Sequence, residues 1–360
     1  MFARAGVVLC LIFGVGAAGA DPIPVVQTDR LSASSVVAGP GASTVTVIYE
    51  RVEFNLSIRM HLWATQSTDG GLTWSTPEIV PMGVQEPIPS SFAFQEHPSL
   101  VLDPQGRFVL FHDFRVDSPS HVWQSTSQNG TTFTAPDPVT LGWPAVTDLQ
   151  PGSGIPSAVV DGPASMSLLY QRFVADGSDP AGLYLARSSD LGASWSPIRI
   201  RVADEASLGD SASLAYGAAD GCYAAAYVVT LSANDHRVRV RVTDDASDWS
   251  AAPVLEVAGD STTPFVTRTS DGAFVLFYQR GFSPQSELFM RWSADGSNWA
   301  SEVRLTESAD WRDGYPVAVP APQPGFVDLY WTRDSIVGPD DAIVHRRVAT
   351  DTIFTSRFGD

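Results

Sequence analysis

The chain has no lysine. All 22 of its basic residues are arginine, set against 40 Asp and Glu, for a net charge of −18. A surface this acidic lacks the basic field that phosphate binding requires, so nucleic acid is not an expected partner. Cysteine is almost absent. Cys10 follows Leu9 in the N-terminal segment, which does not fit a lipoprotein site, and Cys222 is the other. Once the N-terminal segment is removed, one thiol remains and no intramolecular disulfide can form. Cys222 opens the run Cys222-Tyr223-Ala224-Ala225-Ala226, with no polarising neighbour, so it reads as a structural thiol rather than a nucleophile. Also missing are a phosphate-binding glycine loop, a G-x-S-x-G elbow and a zinc motif, so no cofactor or metal is expected. The turn-forming segments Asp176-Gly177-Ser178-Asp179-Pro180 and Pro339-Asp340-Asp341 show no full calcium ligand set.

Charged residues make up only 17% and hydrophobic residues 44%, enough for a core and too apolar for a disordered chain. The 29 Gly, 26 Pro and 10 Trp indicate short strands and many turns. A helical bundle would not tolerate that much proline, since each interior Pro costs about 3 kcal/mol. Residues 1–20 have the form of a signal peptide. Arg4 supplies the positive start, 7–15 the apolar stretch, and Ala18-Gly19-Ala20 a small-residue cleavage site. The expected mature protein begins near Asp21, is secreted or periplasmic, leaves no membrane segment after cleavage, and is a monomer.

Two repeats run through the remainder. The first is S-x-D-(x)-G-x-x-W. It occurs as Ser67-Thr68-Asp69-Gly70-Gly71-Leu72-Thr73-Trp74 and Ser188-Ser189-Asp190-Leu191-Gly192-Ala193-Ser194-Trp195. A form shorter by one residue ends in Asp295 and Trp299. Degenerate copies centre on Asn129 with Phe133, and on Asp245 with Trp249. Asp and Ser close such a turn through backbone N–H groups, Gly permits its angles, and Trp is expected to pack beneath it. The second repeat is a hairpin, with Pro98 fourteen residues before His112, Pro156 before Tyr170, Pro264 before Tyr278 and Pro316 before Tyr330. Hairpins at 34–49 and 213–227 lack the proline.

Six hairpins, each followed by further strand, give a period of roughly 50 to 60 residues, which suits a four-stranded propeller blade. The expected fold is all-β, a single six-bladed β-propeller over 21–360. Its blades fall at about 30–90, 91–150, 151–207, 208–259, 260–310 and 311–358. The last unit lacks a tip and ends in strand-like runs at 342–348 and 352–358. Residues 23–27 are also strand-like and are placed to complete that blade and close the ring.

The tips are Asp-box (BNR) repeats, and about residues 30–350 resemble the sialidase superfamily of six-bladed propellers. The tips point to the fold and not to the chemistry. Propeller geometry puts them on the face opposite the ligand, so site candidates come from hairpin starts and ends. At the ends, Arg51, Arg172 and Arg280 each follow a Tyr by two residues, and Arg115 and Arg333 follow His112 and Tyr330 by three. Such a set either forms a mouth for carboxylate, sulfate or phosphate or pairs with neighbouring acids along the rim. At the starts, Gln95-Glu96-His97 precedes Pro98. Hairpin symmetry places Glu96 opposite Asp113 and His97 opposite His112. This cluster reads as structural, as acid–base equipment for glycoside hydrolysis, or as a metal site without a standard motif.

The resemblance implies more. Arg312-Asp313-Gly314-Tyr315-Pro316 is similar to the segment that carries the sialidase tyrosine nucleophile, which puts Tyr315 in that place. Asp313 or Asp210 would then be its base, and Glu96 or Asp113 the acid. Tyr315 also reads as a rim aromatic for sugar stacking. Of the three arginines that hold a sialic acid carboxylate, Arg30 is near the first position. The segment Tyr227-Val228-Val229-Thr230 has none at the second, and at the third only Arg280 adjoins. The implied function is an exported carbohydrate-active protein, a sialidase-like glycosidase on an acidic glycan held by Arg30, Arg51, Arg280 and Arg333. The alternative is a non-catalytic propeller that binds a glycan or protein through the same face.

Overall fold

The computed structural model describes residues 22–350, apart from 29–30, 40–42, 55–57, 82–91, 117–119, 142–151, 174–179, 204–206, 282–284, 308 and 337–340. Residues 1–21, where a signal peptide is expected, Arg30 and the run at 352–358 lie outside the described residues. No helix occurs among those described.

The strands, in chain order, are β1 (Ile23–Thr28), then β2 (Leu31–Ala38), β3 (Val45–Phe54), β4 (Ile58–Ser67) and β5 (Glu78–Ile79) of the first blade. The second blade holds β6 (Phe92–Leu102), β7 (Phe108–Val116), β8 (His121–Ser127) and β9 (Asp137–Pro138). The third holds β10 (Ser153–Val160), β11 (Met166–Arg172), β12 (Gly182–Ser188) and β13 (Ile200–Ala203). The fourth holds β14 (Leu208–Tyr216), β15 (Tyr223–Ser232), β16 (Asp235–Thr243) and β17 (Leu255–Val257). The fifth holds β18 (Ser261–Arg268), β19 (Phe274–Arg280), β20 (Glu287–Ser293) and β21 (Val303–Arg304). The last is built from β22 (Trp311–Pro320), β23 (Phe326–Ser335) and β24 (Asp341–Ala349), and its outer edge is β1. Pairing of the first strand with the last hides an open sheet edge and closes the ring. The inner strands β2, β6, β10, β14, β18 and β22 contact one another in that order, and β22 returns to β2. The protein is a six-bladed β-propeller.

Alternation along each strand explains why its hairpin runs are apolar on both sides. On β19, Phe274, Leu276 and Tyr278 join the core against the fourth blade, while Val275 and Phe277 join the core against the sixth. Each of the six interfaces has such a core. A ring of serines supplements four of them. Oγ of Ser35 accepts the N–H of Leu100, Ser99 that of Ala158, Ser157 that of Leu214, and Ser213 that of Val266, all at 2.8–2.9 Å. Each bond links one inner strand to the next. At the corresponding places in the last two blades stand Phe265 and Val317, which pack instead into apolar cores.

Candidate functional site

Every inner hairpin breaks register near its start, between Glu96 and Ser99, Gly154 and Ser157, Thr262 and Phe265, and Gly314 and Val317, with equivalent breaks in the other two blades. In four blades the bulge carries a residue in the left-handed region immediately before proline. These are His97 (φ 51°), Ile155 (φ 55°), Thr263 (φ 44°) and Tyr315 (φ 51°). Such a backbone costs on the order of 1–3 kcal/mol per residue and persists only where its surroundings enforce it. Because four blades share it, the conformation belongs to the blade, and the side chain in the slot is what varies.

The slots open on one pit at the ring axis, about 90 Å³ within its walls and about 570 Å³ when the open space at its mouth is counted. All six inner strands line it. Ser34, His97, Ile155, Ser211, Thr263 and Tyr315 stand between prolines 98, 156, 264 and 316. Tyr315 is 41% exposed there.

Beside the pit, Asp113 is 2% exposed. Its Oδ1 accepts the N–H of Ile155 at 2.8 Å, and its Oδ2 meets His97 Nδ1 at 3.0 Å. Gly154 leaves the necessary room, since a Cβ there would sit 2.4 Å from the carboxylate. One blade earlier, Glu50 does the same, accepting the N–H of His97 at 2.5 Å. Each carboxylate thus pins the bulge of the following blade. Burial alone would lower the His97 pKa. The hydrogen bond to Asp113, with the charges of Asp113, Glu50 and Glu96, outweighs it and lifts the imidazole to about 9.

The expected Glu96–Asp113 pairing is present in the ladder. The expected His97–His112 opposition is not. The register breaks between Glu96 and Ser99, so the ladder pairs neither His97 nor Pro98 with His112, and the bulge turns His97 to Asp113. Glu96 reaches Arg115 at 3.3 Å. His112 is fully buried. Its Nδ1 is 2.9 Å from the Asp113 carbonyl, and burial depresses its pKa to about 4. In the last blade the ladder pairs Val317 with Tyr330, so Trp331, not Tyr330, takes the place filled by Tyr49, Tyr170, Tyr227, Tyr278 and His112 elsewhere.

That register aligns Arg51, Arg172, Arg280 and Arg333, each two residues beyond this position, with Arg115 one step further out. Arg280 holds Glu302 through two nitrogens at 2.6 and 2.7 Å. Arg333 holds Asp313 at 2.8 and 3.2 Å, and Trp331 Nε1 donates to the same carboxylate at 2.7 Å. Asp313 is fully buried, so both its oxygens are engaged away from solvent. Arg51 lies over the Trp63 ring, and Arg172 is 3% exposed. None of the five arginines is among the residues lining the pit. Asp210 is placed as a backbone position of β14, with its side chain outside the described residues.

The Asp-box tips lie at the far ends of the inner hairpins, where Gly70 N–H donates to Ser43 O in the β2–β3 turn. Asp69 Oδ1 accepts the N–H groups of Leu72 and Thr73 and the Ser67 hydroxyl. Asp69 Oδ2 accepts the Thr73 hydroxyl. These bonds take the Asp69 carboxyl down to about 2. Asp190, Asn129, Asp245 and Asp295 close their turns in similar ways. The tip tryptophans pack beneath their turns, where the indole N–H groups of Trp249 and Trp299 donate to Ala246 O and Gly296 O, and also against the preceding blade. Trp74 stands edge-on to Tyr330 at 6.3 Å and Trp195 to Phe111 at 5.6 Å, while Trp249 and Trp299 join the interblade cores.

Two features of the site escaped the sequence reading, the Glu50 carboxylate and the serine ring. Both had a signal. Glu50 follows Tyr49 as Asp113 follows His112, and Ser99 and Ser157 each follow the hairpin proline.

Residues 57–329 match the BNR repeat-like domain. The chain belongs to that family. No curated protein matches it in sequence. Among solved structures, this BNR repeat-like chain is similar to a Dyadobacter fermentans protein of unknown function, with 15% identity, TM-score 0.65, and 91% of this chain and 97% of that one covered. It is similar to the NanB sialidase of Streptococcus pneumoniae (10%, TM-score 0.64, 91% and 71% covered). It is also similar to the α-L-arabinofuranosidase Arb93A of Fusarium graminearum (14%, TM-score 0.59, 92% and 97% covered). At these identities the likeness establishes a shared fold, the glycosidase-like propeller.

Proposed function

We propose that the chain is an exported carbohydrate-active protein that seats a terminal glycosyl unit in the axial pit and hydrolyses its glycosidic bond there. One observation carries the reading. Of the bulge slots on the pit, the two with side chains capable of acid–base or nucleophilic chemistry, His97 and Tyr315, open on the same space. In this reading the Tyr315 oxygen attacks the anomeric carbon and its hydroxyl proton leaves to solvent, to which the side chain is 41% exposed. The bond to the leaving oxygen breaks, and that oxygen takes a proton from His97, which Asp113 and Glu50 keep protonated at neutral pH. Water then attacks the anomeric carbon and gives one proton to the neutral His97, while the bond to the Tyr315 oxygen breaks and that oxygen regains a proton from solvent. Supporting facts are the glycosidases among the fold's neighbours and the signal-like start of the chain.

A binding-only propeller is the second reading. The Asp113 carboxylate is bonded to Ile155 and His97, and that of Asp313 to Arg333 and Trp331. Both carboxylates are thus committed to structural partners rather than available as a base.

The test is turnover of a panel of fluorogenic glycosides by the purified protein, with Tyr315→Phe and His97→Gln alongside. Turnover that falls at least 100-fold in both variants supports hydrolysis at the pit. Binding without turnover, weakened by Tyr315→Ala, selects the second reading. Turnover unchanged by all three substitutions rejects the pit as the site.

A further inference from the structure

We infer that the sugar accepted by the axial pit is uncharged. The inference rests on the carbohydrate reading above and narrows its substrate class, away from the acidic glycan that the arginine pattern suggests in the sequence.

The carrying observation is the composition of the wall. Among the described residues the pit is lined by hydroxyls, those of Ser34, Ser211, Thr263 and Tyr315, by four proline rings, and by apolar side chains such as Ile155 and Phe265. Its one ionisable cation is His97, and three carboxylates already act on it, from Asp113, Glu50 and Glu96. The chain has no lysine to contribute.

Strand alternation explains where the arginines went. Side chains one residue apart on a strand leave by opposite faces. Glu50 and Asp113 point toward the bulge of the next blade. The arginine two residues after each slot aromatic is one step beyond that position, so it leaves by the other face. Arg280 and Arg333 end on Glu302 and Asp313. Arg115, three residues after His112, shares a face with Asp113 instead and ends on Glu96. These three arginines therefore neutralise acids of this chain rather than present charge within the pit, and Arg51, over the Trp63 ring, and the buried Arg172 are not among the residues that line it.

A carboxylate on the incoming sugar would surrender its hydration and meet, among the described residues of the wall, only the His97 charge that Asp113 and Glu50 already counter, and would approach a protein of net charge −18. A neutral sugar meets what the wall offers. Its hydroxyls can exchange hydrogen bonds with serine, threonine and tyrosine, and its C–H faces can rest on proline and aromatic rings. The Ser34 hydroxyl is buried in this wall and makes no hydrogen bond.

The experiment measures binding and turnover by the purified protein with two sets of probes. The neutral set holds arabinofuranosides, galactosides, glucosides and fucosides. The acidic set holds a sialoside and glucuronides. The expected result is activity or affinity confined to members of the neutral set, at least tenfold above any acidic probe. Ile155→Arg, which adds a guanidinium to the pit, is expected to narrow or reverse that ratio. Preference of the parent for an acidic probe, lost in Tyr315→Ala, overturns the inference while leaving the carbohydrate reading intact. Failure to bind or turn over any member of either set overturns both.

Discussion

Asp113 holds Ile155 across a blade boundary, accepting its backbone N–H at 2.8 Å from a carboxylate that is only 2% exposed. The same side chain orients His97 at 3.0 Å. A residue that looks from sequence like half of an acid pair is therefore also the pin that keeps a left-handed bulge in place. Removing it affects architecture and titration together.

Asp113→Asn and Asp113→Ala separate the two roles. The Asn variant retains an acceptor for Ile155 and loses the charge beside His97. NMR titration is expected to show the His97 pKa well below its parent value of about 9. The Ala variant also orphans the Ile155 N–H, with an expected loss of about 3 kcal/mol or more in chemical denaturation. The sign of the pH dependence follows from the raised His97 value. Its contribution is complete below about pH 6.5, the ordinary histidine value, and is lost as pH rises through about 9. Parent stability is expected to decline across that window, and the Asn variant to decline less.

His112 works in the other direction. Buried and neutral, with its pKa lowered to about 4, it stays unprotonated in the fold while the unfolded chain takes up a proton near pH 6.5. Stability is expected to fall between pH 6.5 and 4, by on the order of 3 kcal/mol. His112→Tyr, which installs the residue that four other blades use, is expected to flatten that limb and move the acid-unfolding midpoint to lower pH.

The serine ring predicts a position-specific cost. Ser157→Ala leaves the Leu214 N–H without its partner at a blade interface, and about 1–3 kcal/mol is expected to be lost in urea unfolding. Phe265 and Val317 fill the same position without a hydroxyl, so Val317→Ala is expected to cost through lost packing alone.

Trp74 joins the first blade to the last by standing edge-on to Tyr330 and His345. Trp74→Ala is expected to cost about 3 kcal/mol. Deleting Ile23–Thr28, which bares the β24 edge, is expected to lower the melting temperature further and to promote association through that edge. Calorimetry and light scattering read both outcomes.

The fold was legible in the sequence because its rules are local. Turn chemistry at Asp69 or Asp190, proline at hairpin starts and apolar runs of strand length repeat at a fixed period, and a strand that completes the last blade can be read from residues 23–27. Spacing also placed Glu96 against Asp113. Counting residues failed where a bulge intervened. The extra residue sent His97 to Asp113 instead of His112 and put Trp331 where Tyr330 was expected. The candidate arginines show the limit most clearly. Their spacing after the hairpins was visible, but which face of a strand meets the axis and which acid waits on the other side depends on blades far apart in the chain. Sequence by itself determined that six blades form and where their rims lie. Only the tertiary structure decided that the axial pit is lined by hydroxyls and prolines, with Arg115, Arg280 and Arg333 turned toward the protein's own carboxylates, because strand alternation and ring closure together assign each side chain to the pit or to a blade interface.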